Sequence, residues 1–381
     1  MLIGIVGKAN TGKSTFFSAA TLIDAEIGNR PFVTVKPNQG TSYVKTKCVH
    51  SEKNLQCQPV NSKCEQGWRL VPITLLDVAG LVPDAHTGKG LGNQFLSDLM
   101  QAKALVHVVD ASGKTDAEGN PTEGHDPAED IEFLEKEIAW WIKGILDKNW
   151  GKVSKRASLD AKGPAAALGE QLSGLGITEE DAVAVLKSAG LPAKPDQWGE
   201  DEMLKFSSAV RARSKPILIV ANKIDMPGAR DNYEKLKEKY PDRIIIPACS
   251  EAELALRKAE KAGVIKYVPG EKEFGIVDEN ALDEKQKKAL KFVQENVLNV
   301  YGSTGVQEAI NKTAFELLNL IVVYPVQDAN KWCSGKGNVL PDAYLLPRGS
   351  NAYGLAIAIH TDFGPRFVAA VDCKTGKKLG K

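Results

Sequence analysis

The sequence predicts an α/β fold in which a mostly parallel sheet is interrupted by an inserted helical domain and followed by a small β-rich domain. Short apolar runs that end in turns alternate with helical stretches, which is typical of a parallel sheet. Between two of these runs lies a helical stretch of roughly a hundred residues, far longer than a normal connection. Beyond residue 320 the pattern becomes strand-like.

The size and composition agree with a multidomain globular protein. The 381 residues exceed a single compact core, and 43% hydrophobic with 25% charged residues is an ordinary globular balance. Lys plus Arg is 49 and Asp plus Glu is 48, a net charge of +1. This balance does not support a broad electrostatic nucleic-acid binder, although it leaves room for a local RNA or ribosome contact. Six cysteines are too few for a disulfide scaffold at this length.

The pattern does not favour a membrane protein. No apolar run approaches the length that a membrane-spanning helix needs. The first seven residues lack the charged region and cleavage site of a signal peptide, so we expect a buried strand there. We therefore expect the protein to be cytoplasmic.

The expected sheet strands are short apolar or strand-like runs, and the first is followed by a helix over Thr15–Leu22. The runs are Leu2–Val6, Thr41–Thr46, Leu70–Leu76, Leu105–Val109, Pro216–Val220 and Arg243–Ile246.

The expected domains follow from where the pattern changes. Glu129–Lys148 spaces its apolar residues as an amphipathic helix does, and Ala165–Leu191 and Asp201–Arg213 also look helical. We predict an α/β domain over 1–114 and 215–320, a helical insertion over 115–214 and a small β-rich domain over 321–381. Further helices are expected at Glu284–Tyr301 and Thr304–Leu320, and strands at Ile321–Tyr324, Ala343–Leu346, Leu355–Ile359 and Phe367–Val371.

A phosphate-binding loop follows the first strand. Residues Gly7–Ser14 (GKANTGKS) match G-x-x-x-x-G-K-[ST] between a strand and a helix, as this motif requires. Its backbone N–H groups form an anion nest, to which the helix adds its positive end. Lys13 is expected to bridge the β- and γ-phosphates, and the Ser14 hydroxyl to bind Mg²⁺. The expected contacts of the loop are Gly7, Asn10, Thr11, Gly12, Lys13, Ser14 and Thr15. The motif predicts a P-loop NTPase.

Two further segments are expected to sense the γ-phosphate. Asp77 ends a strand and begins a D-x-x-G pattern, so it is expected to hold Mg²⁺ and the Gly80 N–H to contact the γ-phosphate. Thr34 lies in the loop after the first helix and is the best candidate to close over Mg²⁺. Its alternative role is that of an ordinary turn hydroxyl. Loss of the γ-phosphate would release both loops.

The nucleotide base is expected to be guanine. Asn222, Lys223 and Asp225 form an N-K-x-D pattern after a predicted strand. The Asp225 carboxylate accepts from guanine N1–H and the exocyclic amine, donors that adenine lacks there, and such a site can reject an analogue by ~10⁴-fold. Cys249 and Ser250 are expected to place a backbone contact near guanine O6. GTP and GDP are therefore the expected ligands.

Cys48, His50, Cys57 and Cys64 lie close together in sequence between two predicted strands. Three thiolates and an imidazole are a candidate tetrahedral zinc site, although the spacing is not that of a standard finger. The alternative is a surface loop with free thiols, and the sequence leaves both open.

Beyond these motifs, the chain resembles the Obg-type GTPases and, within them, the YchF-like branch. The resemblance rests on the NRPFVT run at 29–34, on PNQG at 37–40, on DVAGLVP at 77–83 with His86 and GKGLGN at 88–93, and on HTDF at 360–363. It implies a G domain, a helical insertion and a C-terminal ubiquitin-like TGS domain, of which a final strand would lie beyond Lys381. It also implies binding to the ribosome or rRNA through the TGS domain and the insertion.

The resemblance also bears on catalysis. Leu81 stands where many GTPases carry a water-orienting Gln, so unaided hydrolysis is expected to be slow. The family points to His86 as the group near the water, with a solvated loop His as the alternative. Asn10 stands where potassium-stimulated relatives bind K⁺, and with Lys13 completes the expected catalytic set. Because some YchF-like members prefer ATP, the retained base motif favours GTP.

The sequence thus predicts a GTP-binding switch with slow Mg²⁺-dependent hydrolysis, associated with translation. One alternative is an ATPase of the same branch, and another is a ribosome-binding module whose hydrolysis is incidental. A P-loop kinase would need an arginine-bearing lid, and no such signature is visible. The oligomeric state, the exchange mechanism and the process controlled are not encoded in any motif.

Overall fold

The computed structural model describes residues 1–23, 38–78, 80, 98–159 and 163–380. The chain forms two compact units. The first contains Met1–Gly40 and Thr74–Ala309, and the second contains Thr41–Ile73 and Ile310–Lys381.

The first unit is built on a parallel sheet, as predicted. Its strands lie in the order Trp68–Asp77, Leu2–Val6, Ala104–Asp110, Ile217–Asn222 and Ile245–Pro247, with the second half of Trp68–Asp77 belonging to this unit. Each neighbouring pair is parallel, with Leu2 opposite Thr74 and Asp110 opposite Asn222. Because the carboxyl ends of parallel strands meet at one edge, the loops after these strands share that edge.

The central strands are buried along their whole length, which explains why their sequences are mostly apolar. Every residue of Ala104–Asp110 and of Ile217–Asn222 is buried. Strands covered on both faces need no polar alternation, and their β-branched side chains suit a pleated surface. The helices of this unit include Lys13–Thr21, Pro127–Asp147, Trp150–Leu159, Pro164–Leu172, Glu179–Ser188, Glu200–Ser214, Ala229–Lys239, Ser250–Lys261 and Glu284–Val293.

The long helix Pro127–Asp147 shows how local sequence sets an element that packs on the core. The Asp126 side chain accepts a hydrogen bond from the Ala128 N–H, and Pro127 occupies the first turn, where its missing donor costs nothing. Ile138 and Ile142 lie one turn apart and pack in one apolar cluster with Phe206.

The predicted helical stretch Ala165–Leu191 is two helices rather than one. Pro164–Leu172 is followed by a short 3₁₀ turn, and Gly176 (φ +70°) ends that turn in the left-handed region. Thr178 then starts Glu179–Ser188 with a reciprocal capping box to Asp181. These helices belong to the first compact unit. The predicted domain boundaries at 114, 214 and 320 remain predictions.

Later helices of the first unit depart from regular α-geometry. Glu284–Val293 continues through a π-helical turn, Gln294–Leu298, into Asn299–Tyr301. A second π-helical turn, Thr313–Leu317, follows Val306–Lys312 and lies in the second unit. A small antiparallel pair joins Ile265–Lys266 to Gly275–Ile276.

The second unit is made of short antiparallel pairings. Lys63–Glu65 pairs with the start of Trp68–Asp77, and strand Asn38–Lys47 leads into this region. Leu320–Val323 pairs with Tyr344–Pro347, and Ala370–Val371 with Lys378–Leu379. The predicted strand Phe367–Val371 is therefore only two residues long.

One predicted strand of the tail is wrong. Residues 355–359 belong to the α-helix Ala352–Ile359, which the short helix Phe363–Arg366 follows. A short apolar run does not by itself separate strand from buried helix. The Asn351 side chain decides the outcome, because it accepts from the Gly354 N–H at 2.9 Å and starts a helix. The predicted TGS β-grasp fold remains a prediction.

Across the described residues, no helix combines the length and apolar character needed to cross a bilayer.

Candidate nucleotide-binding site

The phosphate loop connects the strand Leu2–Val6 to the helix Lys13–Thr21, as predicted. Gly7 has φ +146°, and a Cβ there would lie 2.4 Å from the Val108 carbonyl oxygen. Gly12 caps the helix at φ +93°, and its Cβ would lie 2.3 Å from Asn222 Nδ2. Both glycines are therefore required by close approach as well as by backbone conformation.

The same close approach links the loop to the base-recognition segment. Asn222, the last residue of its strand, is buried and donates from Nδ2 to the Thr11 carbonyl oxygen at 2.8 Å. Its Oδ1 accepts from the Ser250 N–H at 3.1 Å and from the Ser250 hydroxyl at 2.9 Å. The Asn222 side chain thus bonds an acceptor of the phosphate loop and two donors of Ser250. It thereby fixes the phosphate loop relative to the segment that begins at Ser250.

Lys13 lies in this loop with little exposure to solvent, and its ammonium donates to the Lys8 carbonyl oxygen. Burial lowers the pKa of Lys13 to about 8, and the charge of Asp77 opposes that shift. An ammonium that burial destabilises gains more than an exposed one from an incoming phosphate.

Ser14 and Asp77, two of the predicted magnesium ligands, lie next to each other. The Ser14 hydroxyl donates to Asp77 Oδ2 at 2.9 Å. Asp77 is buried, and its Oδ1 has no hydrogen-bond partner among the described residues. Burial raises the pKa of Asp77, which Lys13 and Ser14 oppose. Hydroxyl and carboxylate oxygens suit Mg²⁺, and an orphaned buried carboxylate oxygen fits a hydrated cation beside it.

Gly80 lies against the phosphate loop. A Cβ on it would be 3.3 Å from the Ala9 nitrogen and 3.6 Å from Lys13 Nζ. The two ends of the D-x-x-G segment, Asp77 and Gly80, therefore both lie beside the loop.

The Asp110 carboxylate fixes the position of Lys223 in the base-recognition segment. The Lys223 ammonium pairs with Asp110 Oδ2 at 2.8 Å, and Lys223 itself has φ +60°. Burial acts to raise the pKa of Asp110, but the hydrogen bonds from Lys223 and Ser112 outweigh it and hold the pKa below its usual range. This ion pair fixes the Lys223 side chain.

Asp225 lies beside Cys249 at the end of the next strand. Burial raises the pKa of the Cys249 thiol, and the charge of Asp225 raises it further. The protonated thiol is then a hydrogen-bond donor to the carboxylate. Cys249 also donates its backbone N–H to the Thr304 carbonyl oxygen at 2.9 Å. Both predicted base-recognition loops therefore meet at Asp225.

Sequence reasoning missed a buried network around Lys8, a variable position of the motif. Lys8 Nζ lies 2.9 Å from Asp130 Oδ2 and donates to the Thr115 carbonyl oxygen at 2.7 Å. Asp130 also contacts His125 Nε2 at 2.8 Å. The Asn10 amide donates to the Gly119 carbonyl oxygen at 2.9 Å. No spacing rule signals the partners of Lys8 and Asn10, since more than a hundred residues separate them along the chain.

Several predicted site residues lie outside the described part of the chain. These are Thr34, Leu81 and His86, together with the family-like runs at 29–34 and 88–93. Thr15, in contrast, lies in the first turn of the helix that follows the phosphate loop.

The candidate zinc ligands of the second unit do come together. The ligand atoms of Cys48, His50, Cys57 and Cys64 all lie within 4.8 Å of one another.

Comparisons with known proteins agree with this geometry. Residues 2–143 match the family model of the 50S ribosome-binding GTPases, and residues 220–328 match that of the Obg-like GTPase YGR210-like, G4 motif-containing domain. The first match spans the phosphate loop and Asp77, and the second spans Asn222 and Asp225.

Whole-chain relatives extend the likeness. A GTP-binding protein of Methanocaldococcus jannaschii is 49% identical over 100% of this chain and 95% of its own length. The crystal structure of a GTP-binding protein from Pyrococcus horikoshii OT3 superposes with a TM-score of 0.79 at 41% identity, covering 100% of this chain and 95% of that one. The ribosome-binding ATPase YchF of Bacillus subtilis is 28% identical over 96% of this chain and 87% of its own length. On this sequence identity and the P-loop GTPase fold, the chain belongs to the Obg-like, YchF-like GTPase family.

Proposed function

We propose that this protein is a GTP-selective switch that hydrolyses GTP slowly in the presence of Mg²⁺ and acts on the ribosome. The observation that carries the proposal is the double role of Asn222, which bonds Thr11 of the phosphate loop and Ser250 of the base-recognition segment. Because this contact holds the two segments in a fixed relative position before the nucleotide binds, less conformational entropy is lost on binding.

Selection of guanine rests on Asp225. Its carboxylate lies beside the Cys249 thiol and two residues beyond Lys223, whose ammonium is held by Asp110. The aliphatic stem of Lys223 then covers the ring face, and Asp225 accepts the two guanine donors. Adenine would leave the carboxylate unpaired, a cost of ~10⁴-fold in affinity.

The phosphates are bound by the backbone of Gly7–Ser14 and by Lys13. Ser14 and Asp77 would hold Mg²⁺, the latter through water, and Thr34 would close over it. When bound, the ion neutralises charge on the β- and γ-phosphates. The contribution of the chain is to orient the phosphates with backbone N–H groups and to place the Lys13 ammonium at the site of developing charge.

Hydrolysis without a partner is slow in this proposal. Leu81 offers no hydrogen bond to a water, and His86 is the group proposed to orient one. Asn10 is the proposed ligand for a stimulating K⁺, which would supply charge that an arginine finger supplies elsewhere. Equal rates of GTP hydrolysis in KCl and in NaCl would contradict the proposed stimulation by K⁺.

The ribosome is the proposed partner. The relative from Bacillus subtilis bears the name ribosome-binding ATPase, and one matching family model is that of 50S ribosome-binding GTPases. The tail after residue 320 and the helices of 115–214 are the proposed docking parts, and the cytoplasm is the corresponding compartment.

The first experiment compares the affinities of non-hydrolysable GTP and ATP analogues, with Mg²⁺, for the wild type and Asp225→Ala. We expect the wild type to prefer the GTP analogue by orders of magnitude and the variant to lose that preference. Asp242→Ala, which removes an exposed carboxylate from the same unit, is the matched control and should keep it.

Equal or better binding of the ATP analogue by the wild type would contradict the guanine proposal and favour an ATPase of the same branch, as the name of the Bacillus relative suggests.

The proposed action on the ribosome is tested by measuring nucleotide affinity and turnover with and without added ribosomes. A change in nucleotide affinity without a change in turnover would favour a ribosome-binding module whose hydrolysis is incidental.

A further inference from the structure

Four side chains of the second unit converge on one point. Cys57 Sγ lies 3.2 Å from His50 Nδ1, and Cys64 Sγ lies 3.6 Å from the same nitrogen. Cys48 Sγ lies 3.9 Å from Cys57 Sγ, and all four ligand atoms fall within 4.8 Å of one another. These residues span the turn and hairpin between the strands Asn38–Lys47 and Trp68–Asp77.

The separations are those of a tetrahedral coordination shell. With metal–sulfur distances of about 2.3 Å and metal–nitrogen distances of about 2.0–2.1 Å, the edges of a tetrahedron are about 3.8 Å between sulfurs and about 3.5 Å between sulfur and nitrogen. The sulfur–sulfur separation of 3.9 Å and the two sulfur–nitrogen separations of 3.2 Å and 3.6 Å lie close to these values. Three thiolates and one imidazole are a ligand set that structural zinc sites use.

The backbone holds the ligands in this arrangement. Cys48 directly follows the strand Asn38–Lys47 and donates its N–H to the Gly67 carbonyl oxygen at 2.8 Å, which ties it to the hairpin turn. His50 lies in the helical turn Val49–Lys53 directly after Cys48. Cys64 lies in the short strand Lys63–Glu65. Cys48 is almost fully buried, and the other three ligands are partly buried, so the cluster is shielded from bulk water.

A buried cation lies next to the cluster. Arg69 is fully buried and stands directly opposite Cys64 in the antiparallel hairpin. Its Nη2 donates to the Leu340 carbonyl oxygen, while Nε and Nη1 have no hydrogen-bond partner within the described ranges. A zinc ion with three thiolates and a neutral imidazole has one net negative charge, which would balance this otherwise costly guanidinium.

We propose that Cys48, His50, Cys57 and Cys64 form a structural zinc site that fastens the turn and hairpin of the second unit. All four coordination positions are filled by protein groups, so the ion has no open position for a substrate and no part in nucleotide chemistry. The site acts by tying the turn at His50 and the loop at Cys57 to the hairpin at Cys64. The inference stands independently of the proposed GTPase function.

The test uses the full chain purified without chelator. Elemental analysis should find a single zinc ion per chain in the wild type and in Cys373→Ser, a control that removes a partly buried thiol of the same unit outside the cluster. Cys64→Ser should lose most of the zinc.

A second measurement does not depend on a variant that folds. Wild-type protein freed of metal and titrated with Co²⁺ should develop the visible bands of tetrahedral cobalt and a near-ultraviolet thiolate charge-transfer band, which added Zn²⁺ removes. Absence of zinc in the wild type together with no such spectrum would overturn the proposal. So would a disulfide between two of the three thiols in freshly purified protein, or undiminished zinc in Cys64→Ser.

Discussion

The two compact units position their functional side chains by different means. In the first unit, buried parallel strands place Asp77, Asp110 and Asn222 at their carboxyl ends, and hydrogen bonds to distant residues then fix each one. In the second, the Cys48–Cys64 cluster gathers side chains from one turn and one hairpin. The nucleotide site of the first unit therefore depends on the folding of the whole sheet. The cluster of the second unit depends on contacts among residues close together in sequence.

This difference predicts how each site fails. The first should be sensitive to substitutions at contacts between loops, because those contacts position side chains from segments far apart in sequence. The second should be sensitive to loss of its ion and indifferent to changes in the nucleotide site.

The largest expected effect is removal of the metal. In small zinc-folded peptides the bound ion contributes about 10–16 kcal/mol, so a chelator should release much of the local stability of the hairpin. We expect amide hydrogen exchange to accelerate at residues 48–70 and to stay unchanged in the strand Ala104–Asp110. The Cys373→Ser protein should respond as the wild type does, and uniform acceleration in both regions would break the comparison.

The next effect is at the buried ion pair of the first unit. Lys8→Met leaves Asp130 without its cation, and both side chains are at most 5% exposed. Loss of one partner of a buried pair costs about 3–5 kcal/mol. The free energy of unfolding should fall by that amount, as measured by urea-dependent hydrogen exchange of Ala104–Asp110.

Arg156→Met is the matched control, since its ion pair with Glu170 is more than half exposed and should contribute at most about 1 kcal/mol. The double variant Lys8→Met with Asp130→Leu should recover part of the loss. Equal costs at Lys8 and Arg156 would show that the buried network does not hold the phosphate loop.

A smaller effect is expected from Gly12→Ala. A left-handed φ costs a non-glycine residue about 1–3 kcal/mol, and here the new Cβ also meets Asn222 Nδ2. GTP-analogue affinity should fall by about a hundredfold, an effect checked by titration with a fluorescent nucleotide. Gly228→Ala has the same backbone penalty at φ +80° but meets nothing within 4 Å, so it should lose stability without losing affinity.

The smallest effect concerns pH. Because the pKa of Lys13 is about 8 without nucleotide, binding above that pH must restore its proton, and affinity should fall by up to about tenfold per pH unit. Calorimetry at pH 8.5 in buffers of different ionisation enthalpy should show proton uptake. Lys13→Met should abolish it, whereas Lys215→Met, which removes a buried lysine bonded to the Met100 and Ala102 carbonyl oxygens, should not.

The same shift has a consequence for stability. The folded protein holds this proton less tightly than the unfolded chain, so unfolding takes up a proton between pH 8 and the ordinary lysine value of 10.5. Stability of the nucleotide-free protein should therefore rise with pH across that window.

Most of the first unit was predictable because its signals are local. Apolar runs marked the strands Leu2–Val6 and Ala104–Asp110, and fixed motif spacing marked the P-loop and Asn222. The tail was less predictable, because the apolar run at 355–359 has no periodicity that distinguishes a strand from a helix. The segment is helical because the Asn351 side chain caps the first turn.

The sequence by itself determined the parallel α/β core, the phosphate loop, the candidate base-recognition residues and a candidate zinc ligand set, because each follows from residue types at short spacing. Only the tertiary structure decided that Asn222 joins two loops, that Lys8 pairs with Asp130, and that Arg69 lies buried opposite Cys64. The first two contacts depend on which strands become neighbours, and that follows from burial of the whole sheet rather than from any local pattern. The third follows from the register of a local hairpin.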